Sequence, residues 1–157
     1  HEIITTHRPH PSPAATASGK RFKIITIHSD KEVLPDLEKL KAVVSERTAG
    51  FVVANPEDTG IFDSKIKEFT RVVHEACGIC YYDQANANGL LGVTRAKGAG
   101  FDMCFFNVQK TFAAPHMCGG PATGALGVSK ELKEYLPGPI VECDEGKYYL
   151  NNDLKHS

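Results

Sequence analysis

The chain has 157 residues, of which 41% are apolar, and a formal net charge of -1 at neutral pH. This length predicts one domain that is large enough to bury a core. The nearly balanced charge and the lack of a long basic run argue against nucleic acid or an anionic membrane as a partner. The longest apolar runs are too short to span a bilayer.

The N-terminus and the cysteines bear on where the protein works. No N-terminal segment has the layout of a signal peptide, and the chain opens at His1 on a strand-like run, which suggests a piece of a longer polypeptide. The five cysteines are an odd number, and three of them lie in apolar runs, as reduced core cysteines do: Cys77, Cys80 and Cys104. We therefore expect a reducing compartment, either the cytoplasm or, in a eukaryote, the mitochondrial matrix.

The first fifth of the chain combines a proline-rich stretch with a strand. Residues 7–20 hold three of the nine prolines, which predicts an irregular loop with at most a short helix over residues 14–18. Residues 21–28 alternate in polarity and are rich in isoleucine, which predicts a strand.

The middle of the chain alternates helices with buried strands. Apolar residues at helical spacing predict helices over residues 35–46 and 63–76. Uninterrupted apolar runs predict strands over residues 50–54 and 79–82 that are buried on both faces, as parallel strands are.

The remaining elements follow a glycine-rich irregular segment at residues 86–100. They are a strand at 101–106, a loop with Lys110, a strand at 124–128, a short helix at 129–135, and a possible short strand and tail over 140–157. This order predicts an α/β fold with a mostly parallel sheet and flanking helices, here as a single partial domain over residues 1–157.

Two candidate functional residues follow strands of this sheet. Asp83 ends the strand at 79–82, and Lys110 follows the strand at 101–106. In open α/β sheets, groups at the carboxyl ends of the strands converge on a ligand. A lysine amine forms a Schiff base with the aldehyde of pyridoxal phosphate, and an aspartate keeps the pyridinium nitrogen of that cofactor protonated. The pair therefore predicts a pyridoxal phosphate site.

Each of these residues also has an ordinary explanation. A lysine after a strand is usually a surface residue, but three phenylalanines flank Lys110, and a poorly solvated amine loses its proton more readily. An aspartate after a strand commonly forms a cap or an Asx turn. Small residues follow Asp83, however, and they allow a flat ring to approach the backbone. If the chain stays extended, Ala85 points to the same side as Asp83 and can pack on the ring.

The segments around these two residues resemble the glycine decarboxylases of the glycine cleavage system, the P-proteins, in their catalytic half or subunit 2. That family carries Asp-Gly-Ala-Asn-x-Asn-Ala where residues 83–89 read Asp-Gln-Ala-Asn-Ala-Asn-Gly. It carries Asn-Leu-His-Lys-Thr-Phe-x-x-Pro-His-Gly-Gly-Gly-Gly-Pro where residues 107–121 read Asn-Val-Gln-Lys-Thr-Phe-Ala-Ala-Pro-His-Met-Cys-Gly-Gly-Pro. Weaker matches lie at residues 55–62 and around His10.

The resemblance implies the large domain of a fold-type-I pyridoxal phosphate enzyme. Such an enzyme decarboxylates glycine and passes the aminomethyl group to the lipoyl arm of the H-protein. By this resemblance Lys110 is the Schiff-base lysine, Asp83 the pyridinium partner and Ala85 the ring-face contact. Three further residues are implied near the cofactor or substrate, with the second as a candidate catalytic proton donor: Thr111, His116 and His10. The implied partner is subunit 1 or the rest of the P-protein, in a homo- or hetero-oligomer.

The chain departs from the family pattern next to the site. Gln109 replaces a histidine, Gln84 replaces a glycine, and Met117-Cys118 replaces two glycines. Bulk in a glycine-rich loop is expected to narrow the site or to alter substrate choice, and no glycine-rich phosphate cradle is evident. Two alternatives stay open: another fold-type-I enzyme, such as an aminotransferase or a cysteine desulfurase relative, and a non-catalytic fragment or degenerate homologue.

Cys77 and Cys80 have the spacing of a redox dithiol. Such a pair normally opens a helix, whose N-terminus activates the thiol, whereas this pair is predicted where a helix ends. Reduced core cysteines are therefore the favoured interpretation. No metal site is predicted, because the cysteines together with His74 or His116 lack a second ligand pair at close spacing.

Overall fold

The computed structural model describes residues 1–8, 10–29, 33–116 and 122–152. The chain divides into two compact units, His1–Gly127 and Val128–Ser157. Each unit contributes its own sheet. The prediction of a single partial domain over residues 1–157 stays a prediction.

Strands and helices alternate along most of the first unit. Its sheet has six strands among the described residues: β1 Glu2–Thr6, β2 Lys23–Ile27, β3 Thr48–Ala54, β4 Ile79–Asp83, β5 Met103–Asn107 and β6 Gly124–Val128. The helices of this part are α1 Pro11–Gly19, α2 Leu37–Val43, α3 Ile66–Glu75 and the single turn α4 Val108–Thr111, with a 3-10 turn at Lys97–Ala99.

The strands are ordered β2-β1-β3-β4-β5-β6, and the pairs β1–β2, β1–β3, β3–β4 and β4–β5 are parallel. The predicted α/β fold with a mostly parallel sheet is confirmed. Crossovers between parallel strands are right-handed. The connection from β1 to β2 runs in one direction and the connections to β3 and β4 run in the other, so α1 packs on one face and α2 and α3 pack on the opposite face. Ligands bind at the carboxyl ends of strands beside such a reversal.

The hydrophobic core lies between the sheet and helices α2 and α3. Strand side chains that alternate along β3 and β4 face this core, and four of them are at most 1% exposed: Phe51, Val53, Cys80 and Tyr82. The ring of Phe51 stacks on Phe69 of α3 with 6.1 Å between the ring centroids. Each large apolar side chain buried in this way contributes roughly 1.5–3 kcal/mol. The intervening strand residues point to the other face, where α1 packs.

Helix α1 replaces much of the irregular loop that was predicted over residues 7–20. It runs over Pro11–Gly19, with both of its prolines in the first turn. The N–H groups of a first turn have no acceptor within the helix, so proline loses nothing there and its fixed φ angle suits the helix. The side chain of His10 caps the helix, because its Nδ1 accepts a hydrogen bond from the backbone N–H of Ser12 at 3.2 Å.

The other predicted helices exist, with later starts. Helix α2 begins after Asp36, whose Oδ1 accepts a hydrogen bond from the backbone N–H of Glu38 at 2.9 Å and so caps it. Helix α3 begins at Ile66 and no side chain caps it. The loop predicted at Lys110 is instead the helical turn α4.

The second unit contains a hairpin where one short strand and a tail were predicted over 140–157. A 3-10 helix, Lys130–Tyr135, precedes the antiparallel strands β7 Ile140–Asp144 and β8 Lys147–Asn151. The two residues between the strands, Glu145 and Gly146, have φ angles of 46° and 81°. Positive φ at both positions is the geometry of a two-residue I′ hairpin turn. Residues 153–157 of the predicted tail lie outside the described residues.

The helices of the described ranges are at most 10 residues long. None of these helices combines the length and the apolar composition that crossing a membrane requires.

The end of α3 places a non-glycine residue in the left-handed region. The backbone N–H of Gly78 donates to the carbonyl of Val73 at 3.0 Å, and Cys77 between them has a φ angle of 60°. A Cβ atom at Gly78 would lie 2.8 Å from Cγ1 of Val73. Glycine is therefore required at residue 78, while Cys77 occupies the position where helices usually carry glycine.

We expect the substitution Cys77→Gly to raise the free energy of unfolding by roughly 0.5–1 kcal/mol. Glycine avoids the Cβ penalty of about 1–2 kcal/mol in the left-handed region but loses about 0.5–1 kcal/mol more backbone entropy on folding. Urea unfolding measures the difference. Cys77→Ala removes the thiol but keeps the Cβ atom, so it should show no such gain. An equal gain in both variants would contradict this explanation.

Candidate functional site

A cavity of about 690 Å³ lies on the face of the sheet that carries α1. Its floor consists of alternate strand residues: Gly50, Val52, Tyr81, Met103 and Phe105. Four of the predicted site residues also line it: His10, Asp83, Ala85 and Lys110. The structure therefore brings together residues that lie as far as 100 positions apart in the sequence.

The segments that follow β4 and β5 are hydrogen-bonded to each other beyond the ends of the strands. The backbone N–H of Gln84 donates to the carbonyl of Phe105 at 3.0 Å, and the N–H of Asn107 donates to the carbonyl of Ala85 at 3.1 Å. These bonds continue the parallel pairing of β4 with β5 past Asp83. They fix the position of Asp83 relative to the turn that carries Lys110.

Asp83 adopts the turn that was its ordinary explanation, and it also faces the cavity. One carboxylate oxygen, Oδ1, accepts a hydrogen bond from the backbone N–H of Ala85 at 3.0 Å, which forms an Asx turn. As expected for an extended segment, Asp83 and Ala85 line the same cavity, while Gln84 between them is buried. The turn uses one carboxylate oxygen and leaves the other for a ligand.

The predicted desolvation of Lys110 is wrong. Lys110 is exposed, although its side chain lines the cavity. Of the three flanking phenylalanines, Phe112 is 51% exposed and the other two are half-buried. The three aromatic rings therefore do not shield the lysine from solvent.

The resemblance implies that Thr111 and His116 lie near the cofactor or substrate. The Oγ1 atom of Thr111 accepts a hydrogen bond from the backbone N–H of Ala87 at 2.9 Å, and thereby holds the loop after β4. His116 is exposed. Neither residue is among those that line the cavity, so their roles at the site stay predictions. Met117 and Cys118 lie outside the described residues.

Tyr81 is a site residue that the sequence reasoning missed. It lies two residues before Asp83 in β4, so strand alternation places both side chains on the cavity face. Burial, and next the charge of Asp83, raise the pKa of Tyr81 to about 12. The phenol therefore stays a neutral hydrogen-bond donor in the physiological range.

The structure supports reduced cysteines over a redox dithiol. Cys77, Cys80, Cys104 and Cys143 are free. Cys77 is exposed, while Cys80 is fully buried, and burial together with the nearby Asp102 raises the pKa of the Cys80 thiol. A thiol that resists ionisation is a poor nucleophile for disulfide exchange.

The sequence of this chain is similar to those of known proteins. No protein-family model matches the chain. It is 44% identical over 152 residues to the probable glycine dehydrogenase (decarboxylating) subunit 2 of Caldanaerobacter subterraneus, a match that covers 97% of this chain and 31% of that protein. It is also 44% identical to the subunit of the same name from Pyrococcus abyssi, over 99% of this chain and 32% of that protein. The predicted resemblance is confirmed.

The match to subunit 2 of the glycine dehydrogenases thus covers almost the whole chain, and the chain spans about a third of the length of these relatives.

Solved structures agree on the fold. A cysteine desulfurase from Escherichia coli superposes with a TM-score of 0.71 at 18% identity, over 99% of this chain and 41% of that one. A sphingosine-1-phosphate lyase from Burkholderia pseudomallei gives 0.70 at 14% identity, over 96% of this chain and 36% of that one. These neighbours are fold-type-I enzymes, which confirms the predicted fold type.

The bond from Thr111 to the loop can be tested by removing the acceptor. Ala87 is fully buried, so Thr111→Val leaves a buried N–H without a partner and should cost roughly 1–3 kcal/mol of stability. Thr111→Ser keeps the hydroxyl and should lose much less. Urea unfolding and hydrogen exchange at the Ala87 amide measure both effects. An unchanged exchange rate in Thr111→Val would contradict this role.

The raised pKa of Tyr81 predicts a loss of stability at alkaline pH. The pKa of the phenol rises from its ordinary value of 10.0 to about 12 in the folded protein, so the folded state binds the proton more tightly. The corresponding stability is fully present below pH 10 and is lost as the pH rises towards 12.

In the variant Tyr81→Phe, the free energy of unfolding should therefore fall less steeply across this range than in the wild type. Urea unfolding at a series of pH values measures the slope. Tyr148→Phe, which changes a tyrosine that is 78% exposed, is the matched control. A slope in Tyr81→Phe as steep as that of the wild type would refute the assignment.

Proposed function

We propose that this chain forms part of a pyridoxal phosphate-dependent glycine dehydrogenase (decarboxylating). The reaction removes carbon dioxide from glycine and transfers the aminomethyl group to the lipoyl group of the H-protein. The observation that carries the proposal is the 44% identity to subunit 2 along nearly the whole chain, with Asp83, Ala85 and Lys110 lining one cavity.

The lining residues suit this cofactor. The cavity offers an amine for an aldehyde, a carboxylate for a protonated ring nitrogen and a small side chain for a flat ring, from Lys110, Asp83 and Ala85 respectively. Its volume of about 690 Å³ is within the range of about 300–1,000 Å³ that is usual for small-molecule sites. The Asx turn uses one carboxylate oxygen of Asp83, and the other oxygen can accept a hydrogen bond from the ring nitrogen.

Pyridoxal phosphate, when bound, supplies an aldehyde that condenses with amines and a ring that accepts electrons. Lys110 would hold the aldehyde carbon through its Nζ atom. Asp83 would keep the proton on the ring nitrogen, and Ala85 would support the ring. Because Lys110 is exposed, its amine is open to exchange with the amine of a substrate that enters from solvent. The neutral phenol of Tyr81 can donate a hydrogen bond on the same face.

Further roles and partners belong to the same proposal. We assign proton donation to His116, because an imidazole nitrogen can donate a proton as a general acid, and cofactor contacts to Thr111 and His10. Subunit 1 is the proposed partner protein, since the relatives are named subunit 2. The free cysteines fit a reducing compartment, the cytoplasm or the mitochondrial matrix.

The assignment of Lys110 predicts a site-specific covalent adduct. The chain is mixed with pyridoxal phosphate, treated with borohydride and mapped by peptide mass spectrometry. Lys20 also lines the cavity and serves as the matched control. We expect a visible absorption band and a reduced adduct on Lys110 in the wild type and in Lys20→Arg, and neither in Lys110→Arg. Labelling of Lys20, or scattered labelling of surface lysines, would overturn the assignment.

The reaction itself is tested by carbon dioxide release from glycine, with subunit 1 and lipoylated H-protein present. Asp83→Asn should lower the rate roughly 100-fold or more, the usual effect of removing one electrostatic contact at an active site. Release from another amino acid instead of glycine would favour a different fold-type-I enzyme. No release, together with no adduct, would favour a non-catalytic homologue.

A further inference from the structure

A second cluster of reactive side chains lies at the amino ends of the parallel strands, opposite to the carboxyl ends that carry Asp83 and Lys110. His74 is in the last turn of α3, Cys80 is near the start of β4, and Asp102 directly precedes β5. The Nε2 atom of His74 lies 2.9 Å from Oδ2 of Asp102, and the backbone N–H of Cys80 donates to the same oxygen at 2.7 Å. The proposed cofactor residues lie at the carboxyl ends of the strands, so this cluster plays no part in the function proposed above.

The ligand atoms of the three side chains lie close together. An imidazole nitrogen, a thiol sulfur and a carboxylate oxygen all lie within 4.8 Å of one another. In a tetrahedral zinc site with metal–ligand distances of about 2.0–2.3 Å, neighbouring ligand atoms are roughly 3.3–3.8 Å apart. Around a cation, Nε2 of His74 and Oδ2 of Asp102, now 2.9 Å apart, would move slightly apart, while Sγ of Cys80 lies within 4.8 Å of both.

We propose that His74, Cys80 and Asp102 bind one Zn²⁺ ion, with water as the fourth ligand. Nitrogen, sulfur and oxygen donors together are a zinc donor set, and the sulfur disfavours Mg²⁺ and Ca²⁺, which select oxygen. The charge of a bound cation favours the thiolate that burial otherwise disfavours. As the cation binds, Cys80 gives up the hydrogen bond that its S–H donates to the carbonyl of Thr70, the S–H bond breaks, the sulfur binds the metal, and the proton leaves to solvent.

The three residues differ in their exposure to solvent. The side chain of His74 is 39% exposed and that of Asp102 is 28% exposed, whereas Cys80 is fully buried. The two outer ligands are therefore accessible to a cation from solvent, and the thiol forms the inner end of the site.

A bound cation would tie α3 to β4 and β5. At present His74 and Asp102 are joined by one hydrogen bond across 28 positions of the sequence. Because the site exists only when these three elements are packed together, zinc binds the folded state and raises its stability as the zinc concentration rises.

The test uses the full 157-residue chain without pyridoxal phosphate, in a background that keeps Cys80 and Cys104 and replaces the other three cysteines: Cys77→Ser, Cys118→Ser and Cys143→Ser. Calorimetric titration with Zn²⁺ should show one equivalent bound, and the thermal midpoint should rise with zinc. Co²⁺ as a spectroscopic probe should give a thiolate-to-cobalt absorption band. Mg²⁺ should do neither.

Three single variants then identify the ligands: His74→Gln, Asp102→Asn and Cys80→Ser. Each should weaken zinc binding by more than the roughly 10–100-fold loss that follows removal of an outer-shell partner, and Cys80→Ser should also abolish the cobalt band. His74→Gln and Asp102→Asn change partly exposed side chains, and asparagine keeps an acceptor for the Cys80 N–H. These two variants decide the matter if Cys80→Ser does not fold.

Several outcomes would overturn the proposal. One is the absence of zinc binding in the cysteine-replaced background. Another is zinc binding of undiminished strength in both His74→Gln and Asp102→Asn. A third is a cobalt band that is absent from this background and appears only when Cys77, the exposed thiol three residues away, is restored. The last two would show adventitious metal capture elsewhere on the chain.

Discussion

The candidate site depends on the backbone hydrogen bonds that continue beyond the ends of β4 and β5. Without the bonds from Gln84 to Phe105 and from Asn107 to Ala85, the segments after the two strands would be separate loops. Loops are the most mobile parts of a fold. The extended pairing instead makes the Asp83 turn and the Lys110 turn parts of one rigid element, which is how functional groups are held to within fractions of an ångström.

The same sheet serves two purposes because its faces differ. One face carries large side chains into a core that α2 and α3 close. The other face has Gly50 in its central strand, where a Cβ atom would lie 2.8 Å from the carbonyl oxygen of Ile79 and 3.5 Å from Cδ1 of Ile3. Glycine lets β3 approach β4 closely and leaves the cavity floor without a side chain there. The cavity thus follows from strand packing as much as from the placement of α1.

Much of the fold could be predicted from the sequence, because buried parallel strands are continuous apolar runs and amphipathic helices have their own period. Parallel strands end at one edge, so Asp83 and Lys110 could be expected to share a site. The structure differs from the prediction where the effect of a residue depends on its position within a helix or turn. Prolines are tolerated in the first turn of α1, and Glu145-Gly146 formed a turn that the sequence reading did not include.

Long-range features could not be predicted, for a different reason. The exposure of Lys110 depends on which surfaces cover α4, and sequence position carries no information about that. The cluster of His74, Cys80 and Asp102 was missed because its members come from three elements and lack the close spacing of a metal-ligand motif. Strand alternation, by contrast, could have identified Tyr81 beside Asp83, since period 2 is a local rule.

The proposed zinc ligands and the proposed cofactor residues lie at opposite ends of β4 and are expected to act independently. Cys80 and Asp83 are three positions apart, which is about 10 Å along a strand. At that separation, and on opposite faces, side chains share no contacts and their effects are expected to add. The strand between them is pinned by the core on one face, where Tyr82 stacks on Phe101 with 4.3 Å between the ring centroids. A cation at the amino ends of β4 and β5 would therefore stabilise the scaffold, and its effect on stability is expected to add to that of changes around Asp83.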